Sequence, residues 1–180
     1  MNTRVWSWLT LPMLLVLGGC PSGGGPSGIT EGVSLPAVAY VANSGGGVSA
    51  YTINTTTGAL ITVAGSPFAA GTTPNAVTVS PNGSFVYVAN GGGGVSAYTI
   101  TAGTGVLTAV AGSPFAAGTT PSGVTIEPNG SFVYVANGGG DVSAYTVTVG
   151  TGVLVPLGVG LGNPFSAGSS PSGIATPGRP

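Results

Sequence analysis

Hydrophobic and polar positions alternate along most of this chain with a period of two, in short runs punctuated by glycine, proline and asparagine. Phe85 to Ala89 is apolar on both alternating sides, with Phe85, Tyr87 and Ala89 on one and Val86 and Val88 on the other. A strand of that kind belongs in a sheet covered on both faces. Ahead of it, Ala76-Val77-Thr78-Val79 is a short β-branched run, and Pro81-Asn82-Gly83 supplies the Asn-Gly of a tight hairpin with positive φ values. Behind it, the Gly91 to Gly94 loop leads into a third strand at Val95 to Ile100. A turn at Thr104-Gly105 then leads into a fourth strand at Val106 to Val110. The pattern predicts a four-stranded antiparallel meander. No helical periodicity interrupts it, and the glycine and β-branched content opposes one.

The same pattern returns at a fixed spacing of 47 residues. Tyr40-Val41-Ala42-Asn43 recurs as Tyr87 to Asn90 and as Tyr134 to Asn137. Gly47-Val48-Ser49-Ala50-Tyr51 recurs at Gly94 to Tyr98 and, with one change, at Asp141 to Tyr145. Self-similarity at such a period marks stacked units that cannot bury their hydrophobic faces alone. Four short strands in 47 residues match the size of a β-propeller blade. Tandem immunoglobulin-like sandwiches need a period near 100 residues, and β-helices a far shorter one. The fold class expected is therefore all-β, with about three propeller-type blades over residues 37–176 and a tail at 177–180.

Blade counting exposes a shortfall. The first unit begins at its second strand, near Ala37 to Asn43. Two complete units follow, and the chain closes on a first-type strand at Ser172 to Thr176. Three blades' worth is below the roughly four that close a ring. The alternatives are a fragment of a longer protein, copies that assemble into a ring, or an open arc with exposed edges. The third unit also carries a three-residue insertion, because Pro164 follows Pro114 by 50 residues.

Composition narrows the partners. Charged residues make up 3% of the chain and hydrophobic ones 42%, which excludes the polar, highly charged disorder class. There is no Lys and no His, and Arg4 and Arg179 are the only cations. Such a chain cannot neutralise a run of phosphates, so nucleic acid is excluded as a partner, and anionic membrane surfaces are equally poor ones.

The first residues read as a leader. Arg4 gives a positive start, and Val5 to Leu17 is an apolar stretch too short to span a membrane. It ends in Leu17-Gly18-Gly19-Cys20, which resembles the lipobox of bacterial lipoproteins. That resemblance implies a signal peptide over 1–19, lipid attachment at Cys20, a Gly/Ser/Pro tether over 20–36, and a membrane partner reached through the lipid anchor. The implied location is the bacterial cell envelope, and Pro21 after the cysteine resembles outer-membrane sorting. A lone cysteine in an exported protein is otherwise free or paired with another chain.

A second resemblance rests on the repeats. Pro81-Asn82-Gly83-Ser84-Phe85-Val86-Tyr87-Val88-Ala89-Asn90 and the identical Pro128 to Asn137 resemble the YVTN-type propeller repeat, with Ala in place of Thr. Gly65 to Pro74, repeated residue for residue at Gly112 to Pro121, is similar to inter-blade segments of lactonase-like propellers of the 6-phosphogluconolactonase type. The resemblance covers roughly Val38 to Ala175. It implies a seven-bladed fold and, as one possible activity, hydrolysis of a sugar lactone.

Candidate chemistry is sparse. The ionisable groups after Cys20 are Glu31, Glu127, Asp141, Arg179 and six tyrosines. Without His or Lys, the usual general base, Schiff-base amine and imidazole metal site are missing, and neither a metal nor a cofactor is expected. Glu127 stands where the previous unit has Ser80, and Asp141 where it has Gly94, so neither is demanded by the repeat. They are the weak catalytic candidates, and a solvated loop charge is the plainer reading of each. One lies beside the first hairpin and the other beyond the second strand, on the order of 20 Å apart at about 3.3 Å per residue. A carboxylate pair needs roughly 5 to 9.5 Å. Tyr51, Tyr98 and Tyr145, with Phe68 and Phe115, recur in register and read as repeated core packing. The glycine runs lack the Lys and helix of a phosphate loop and read as flexible loops. The leading expectation is a lipid-anchored binding or scaffold module of unknown ligand, completed by further copies of itself or by missing blades. The rivals are a lactone hydrolase and a fragment with no independent function.

Overall fold

The computed structural model describes residues 37–158, 160 and 163–177. The chain divides into two units, Met1–Val33 and Ser34–Pro180, and the described residues all belong to the second. The expected leader with Cys20, the tether with Glu31, and Arg179 lie outside the described residues.

The described residues are all-β, with three sheets in chain order. β1 (Val38–Ala42), β2 (Val48–Ile53) and β3 (Leu60–Thr62) form the first. β4 (Pro74–Val79), β5 (Phe85–Asn90), β6 (Val95–Ile100) and β7 (Leu107–Ala109) form the second. β8 (Pro121–Ile126), β9 (Phe132–Asn137), β10 (Asp141–Val147) and β11 (Leu154–Pro156) form the third, and β12 (Phe165–Ser166) adds to β10. Each is an antiparallel meander, as the period-two pattern predicts. They are called blades 1, 2 and 3 below.

The outer edge of each third strand is covered in two pieces. In blade 2, β7 pairs with Tyr98 to Ile100, and the returning chain bridges Val95 to Phe115. Val48 with Phe68 and Val142 with Phe165 repeat that bridge. The Ser-Pro-Phe segments, whose Phe lies 20 residues after Val48 and Val95, and the Asn-Pro-Phe segment, whose Phe lies 23 after Val142, thus supply one packing device used three times.

Two apolar layers lie between the blades. Val48 of blade 1 meets Val86, Val88, Tyr98 and Leu107 of blade 2. Phe85, Tyr87 and Ala89 of blade 2 meet Val124, Val133, Val135 and Leu154 of blade 3. β5 feeds both layers, and every one of its residues is buried. Each fully buried Val or Phe contributes roughly 1.5–3 kcal/mol, so the two-sided apolar run is what makes blade 2 the centre of the unit.

Several boundaries differ from the sequence reading. The inner strands begin earlier, at Pro74 and Pro121, with a register shift before Ala76 and Gly123. The fourth strands are only three residues long. In the hairpin, Gly83 alone takes positive φ, at 68°, and its N–H donates to the Ser80 carbonyl at 2.8 Å. Asn82 instead accepts from Ser80 Oγ at 2.7 Å, so the turn is longer than a two-residue Asn-Gly hairpin. Residues 172–176 form no ladder, although they lie along β8. Ser122 Oγ donates to the Pro171 carbonyl, and Thr176 Oγ1 to the Ile126 carbonyl at 3.0 Å. A strand needs a backbone hydrogen-bond ladder, and among the described residues this segment is tied to β8 by side-chain hydrogen bonds only.

Candidate functional site

At one end of blades 2 and 3 the segment entering the blade meets the loop between its second and third strands. In blade 2 the segment entering β4 meets the β5–β6 loop: Gly91 N–H donates to the Thr73 carbonyl at 2.7 Å and Gly92 N–H to the Thr72 carbonyl at 3.0 Å. Blade 3 repeats this with Gly138 to Thr120 at 2.8 Å and Gly139 to Thr119 at 3.1 Å. Thr73 and Thr120 take φ of 54° and 56°, and Ser170 follows at 53°. A β-branched residue in the left-handed region is an outlier costing on the order of 1–3 kcal/mol, held in place by its surroundings.

Beneath these loops lie two buried asparagines. Asn90 and Asn137 are fully buried at the ends of β5 and β9. Asn90 Nδ2 donates to Ser96 Oγ at 3.0 Å and to the Gly94 carbonyl at 3.3 Å. Asn137 Nδ2 donates to Ser143 Oγ at 2.9 Å and to Asp141 Oδ1 at 2.6 Å. The Gly94 carbonyl and the Asp141 carboxylate are acceptors only, which fixes each amide's orientation. Their Oδ1 atoms find no donor among the described residues. An unmet buried acceptor costs about 1–3 kcal/mol.

That geometry explains Asp141. In blade 2, Gly94 has φ of 87°, and a Cβ there would sit 2.8 Å from the Phe115 carbonyl oxygen. The glycine is required by close approach rather than by loop flexibility. In blade 3 the chain enters β10 one residue earlier, Asp141 pairs with Asn137 and Ser166, and its carboxylate takes over the acceptor role of the Gly94 carbonyl. Asp141 is half-buried and engaged with Asn137, so a solvated loop charge does not describe it.

Glu127 sits at the far end of the same blade. Its N–H donates to the Phe132 carbonyl at 2.9 Å, and its carbonyl accepts from Gly130 at 2.7 Å. It borders a cavity of about 450 Å³ with Tyr134, Ile174 and Thr176. The length of β9 lies between Glu127 and Asp141, so the structure does not bring them together. Among the described residues no three of His, Cys, Asp and Glu gather where a metal ion could be held.

The tyrosines are structural. Tyr98 and Tyr145 are buried, and their hydroxyls donate to the Ala69 carbonyl, at 2.6 Å, and the Ala116 carbonyl. Tyr40 and Tyr87 reach across to the next blade, donating to the Gly105 carbonyl at 2.9 Å and the Gly152 carbonyl at 3.1 Å. Burial pushes the hydroxyls of Tyr40 and Tyr87 up to about 12. Burial also raises Tyr98 and Tyr145, partly offset by hydrogen bonds from Ser96 and Ser143. None of them is a base poised near neutral pH. Asn90 and Asn137, with Asn43, recur in register at the close of an apolar strand, and that recurrence is the sequence signal that points to them.

A family model described as lactonase, seven-bladed β-propeller, matches residues 35–156. No curated protein matches the chain. Among solved structures, a candidate 6-phosphogluconolactonase of Bacteroides fragilis superposes with a TM-score of 0.66 at 24% identity, covering 76% of this chain and 38% of its own. The periplasmic gluconolactonase of Pseudomonas aeruginosa gives 0.55 at 22% identity, covering 68% and 36%. Hydrazine synthase of Kuenenia stuttgartiensis gives 0.52 at 21%, covering 83% and 42%. The chain thus spans less than half the length of each, and these likenesses speak for the fold alone.

Proposed function

The chain belongs to the lactonase family of seven-bladed β-propellers, and from that premise we propose that it serves as a binding or scaffold module of this fold, held at the cell envelope through a lipid on Cys20, without opening a lactone by itself. The observation that carries the reading is the make-up of the loop end. Among the described residues it presents Gly, Ala, Thr and Ser, and its one carboxylate there, Asp141, is engaged by the buried Asn137 amide. Lactone opening needs a group that activates water and one that receives the developing charge. Glu127, the other described carboxylate, is at the opposite end of the blade. The test is hydrolysis of glucono-δ-lactone and its 6-phosphate by the purified chain. No rate above the buffer rate is expected, and a saturable rate would overturn the reading. The anchor is tested by labelled palmitate, which should enter the chain and be lost in Cys20→Ser.

A second reading is favoured by the family match itself. In a complete propeller, further blades would add the missing acid-base groups, and the whole would hydrolyse a sugar lactone. Asp141 would then be the residue of this chain nearest the chemistry, and Asp141→Ala should abolish that activity. Full activity in the variant removes this chain's one candidate.

A further inference from the structure

Asparagine followed by glycine occurs at Asn82, Asn90, Asn129 and Asn137. The pair carries its own chemistry. With no Cβ on the second residue, the glycine backbone nitrogen can approach the preceding carboxamide carbon, close a cyclic imide and expel ammonia. The fold decides whether it does, because the attacking N–H must be freed and the carboxamide must swing toward it.

The structure sorts these positions. Asn90 and Asn137 are fully buried, and each carboxamide nitrogen donates to two acceptors, so the leaving group is locked and shut away from water. Asn82 and Asn129 are exposed, in the hairpins that join the first two strands of blades 2 and 3. Their surroundings in sequence are identical from Pro81 to Asn90 and from Pro128 to Asn137. The Gly83 and Gly130 N–H groups are also held alike, by the carbonyls of Ser80 at 2.8 Å and Glu127 at 2.7 Å. What separates the two is the grip on the carboxamide oxygen. Asn82 Oδ1 accepts from the Ser84 N–H at 3.1 Å and from Ser80 Oγ at 2.7 Å, and Ser80 is itself buried and anchored by the Phe85 N–H. Asn129 Oδ1 accepts from the Ser131 N–H at 2.8 Å. Residue 127 cannot supply the second donor there, because a carboxylate only accepts.

We propose that Asn129 is a self-modification site, the Asn-Gly pair of this chain that rearranges first in the folded state. The Gly130 nitrogen gives its proton to solvent base and attacks Asn129 Cγ. The Cγ–Nδ2 bond breaks, and Nδ2 leaves with a solvent proton as ammonia. Water then opens the imide at either carbonyl, giving aspartate at 129 or its β-linked isomer, so the sum is one water taken up and one ammonia released. Asn82 resists because the same swing must also break the Ser80 bond. The product sets a carboxylate two residues from Glu127 and, adding one acid to the three present, takes the formal net charge from −1 to −2. In the isomer the backbone runs through the side-chain carbon, which lengthens the hairpin that sets β8 against β9. The inference holds under either functional reading.

Incubation of the full chain in mildly alkaline buffer, followed by chymotryptic digestion and mass spectrometry, tests it. The peptides covering 69–85 and 116–132 differ in sequence, so the mass gained when NH2 becomes OH is read separately at Asn82 and Asn129. Those covering 88–98 and 135–145 report Asn90 and Asn137. Asn129 should be lost roughly two- to tenfold faster than Asn82, the factor that one neutral hydrogen bond gives. Asn90 and Asn137 should stay intact. In urea the rates at Asn82 and Asn129 should become equal, and in the folded chain Glu127→Ser should slow Asn129 to the rate of Asn82. Equal or inverted rates in the folded chain would overturn the proposal, as would a difference that persists in urea or an Asn129 rate that Glu127→Ser leaves unchanged.

Discussion

Removing one hydroxyl at Tyr87 tests whether the inter-blade hydrogen bond holds the unit together. The ring is fully buried between blades 2 and 3, and the hydroxyl donates to the Gly152 carbonyl at 3.1 Å. Tyr87→Phe keeps the ring packing and leaves that carbonyl without its donor. An unmet buried acceptor costs about 1–3 kcal/mol, and the depth of this site places the loss at about 2 kcal/mol. For a chain of this size that is a fall in Tm of roughly 4–8 °C. The repeat supplies its own control. Tyr134 stands in the same strand position, but among the described residues it is only half-buried and its hydroxyl meets no carbonyl, so Tyr134→Phe should cost less than about 0.5 kcal/mol. Tyr40→Phe, half-buried and bonded to the Gly105 carbonyl at 2.9 Å, should fall between them. Urea unfolding followed by circular dichroism reads all three, with m-values compared to confirm that the same surface is exposed. Equal losses at Tyr87 and Tyr134 would refute the reasoning, because the two differ only in what covers them.

Further expectations follow from the same contacts. Stability should be complete below about pH 10 and fall between roughly pH 10 and 12, because the unfolded tyrosines ionise near 10 while burial holds Tyr40 and Tyr87 up to about 12. The chain has no lysine to titrate in that window, so urea midpoints at rising pH report on tyrosine, and Tyr87→Phe should flatten their decline. Gly152→Ala should cost more than about 2 kcal/mol in the same assay, since the residue has φ of 72° and an added methyl would collide with the Phe85 ring. Thr73→Asn should raise stability by about 0.5–1 kcal/mol, because Asn tolerates the left-handed conformation that Thr73 holds at φ 54°. Asp141→Ala should cost about 1 kcal/mol through the Asn137 contact, and on the leading functional reading should change no ligand-dependent rate.

What could be read in the sequence divides along the line between repeated and unrepeated interactions. The strands were legible because their cause is local: Phe85 to Ala89 is apolar on both sides, and only a sheet covered twice can use it. The blade was legible because one packing solution serves Val48, Val95 and Val142 alike, and its constraints were printed three times. The meaning of Gly94 was not, since the Phe115 carbonyl that excludes a side chain comes from 21 residues away and only the folded loop brings it to 2.8 Å. Asp141 was misjudged for the same reason. As a break in the repeat it looked like an addition to the blade, yet its carboxylate replaces a carbonyl that the glycine loop provides in blade 2, so the Asn137 amide keeps its acceptor. A residue that departs from a repeat can thus preserve the repeat's hydrogen bonding. At the other break, Ser80 Oγ accepts from the Phe85 N–H at 2.8 Å in blade 2, and with Glu127 in its place blade 3 keeps the hairpin's backbone bonds, the Glu127 N–H donating to the Phe132 carbonyl at 2.9 Å and its carbonyl accepting from Gly130 at 2.7 Å.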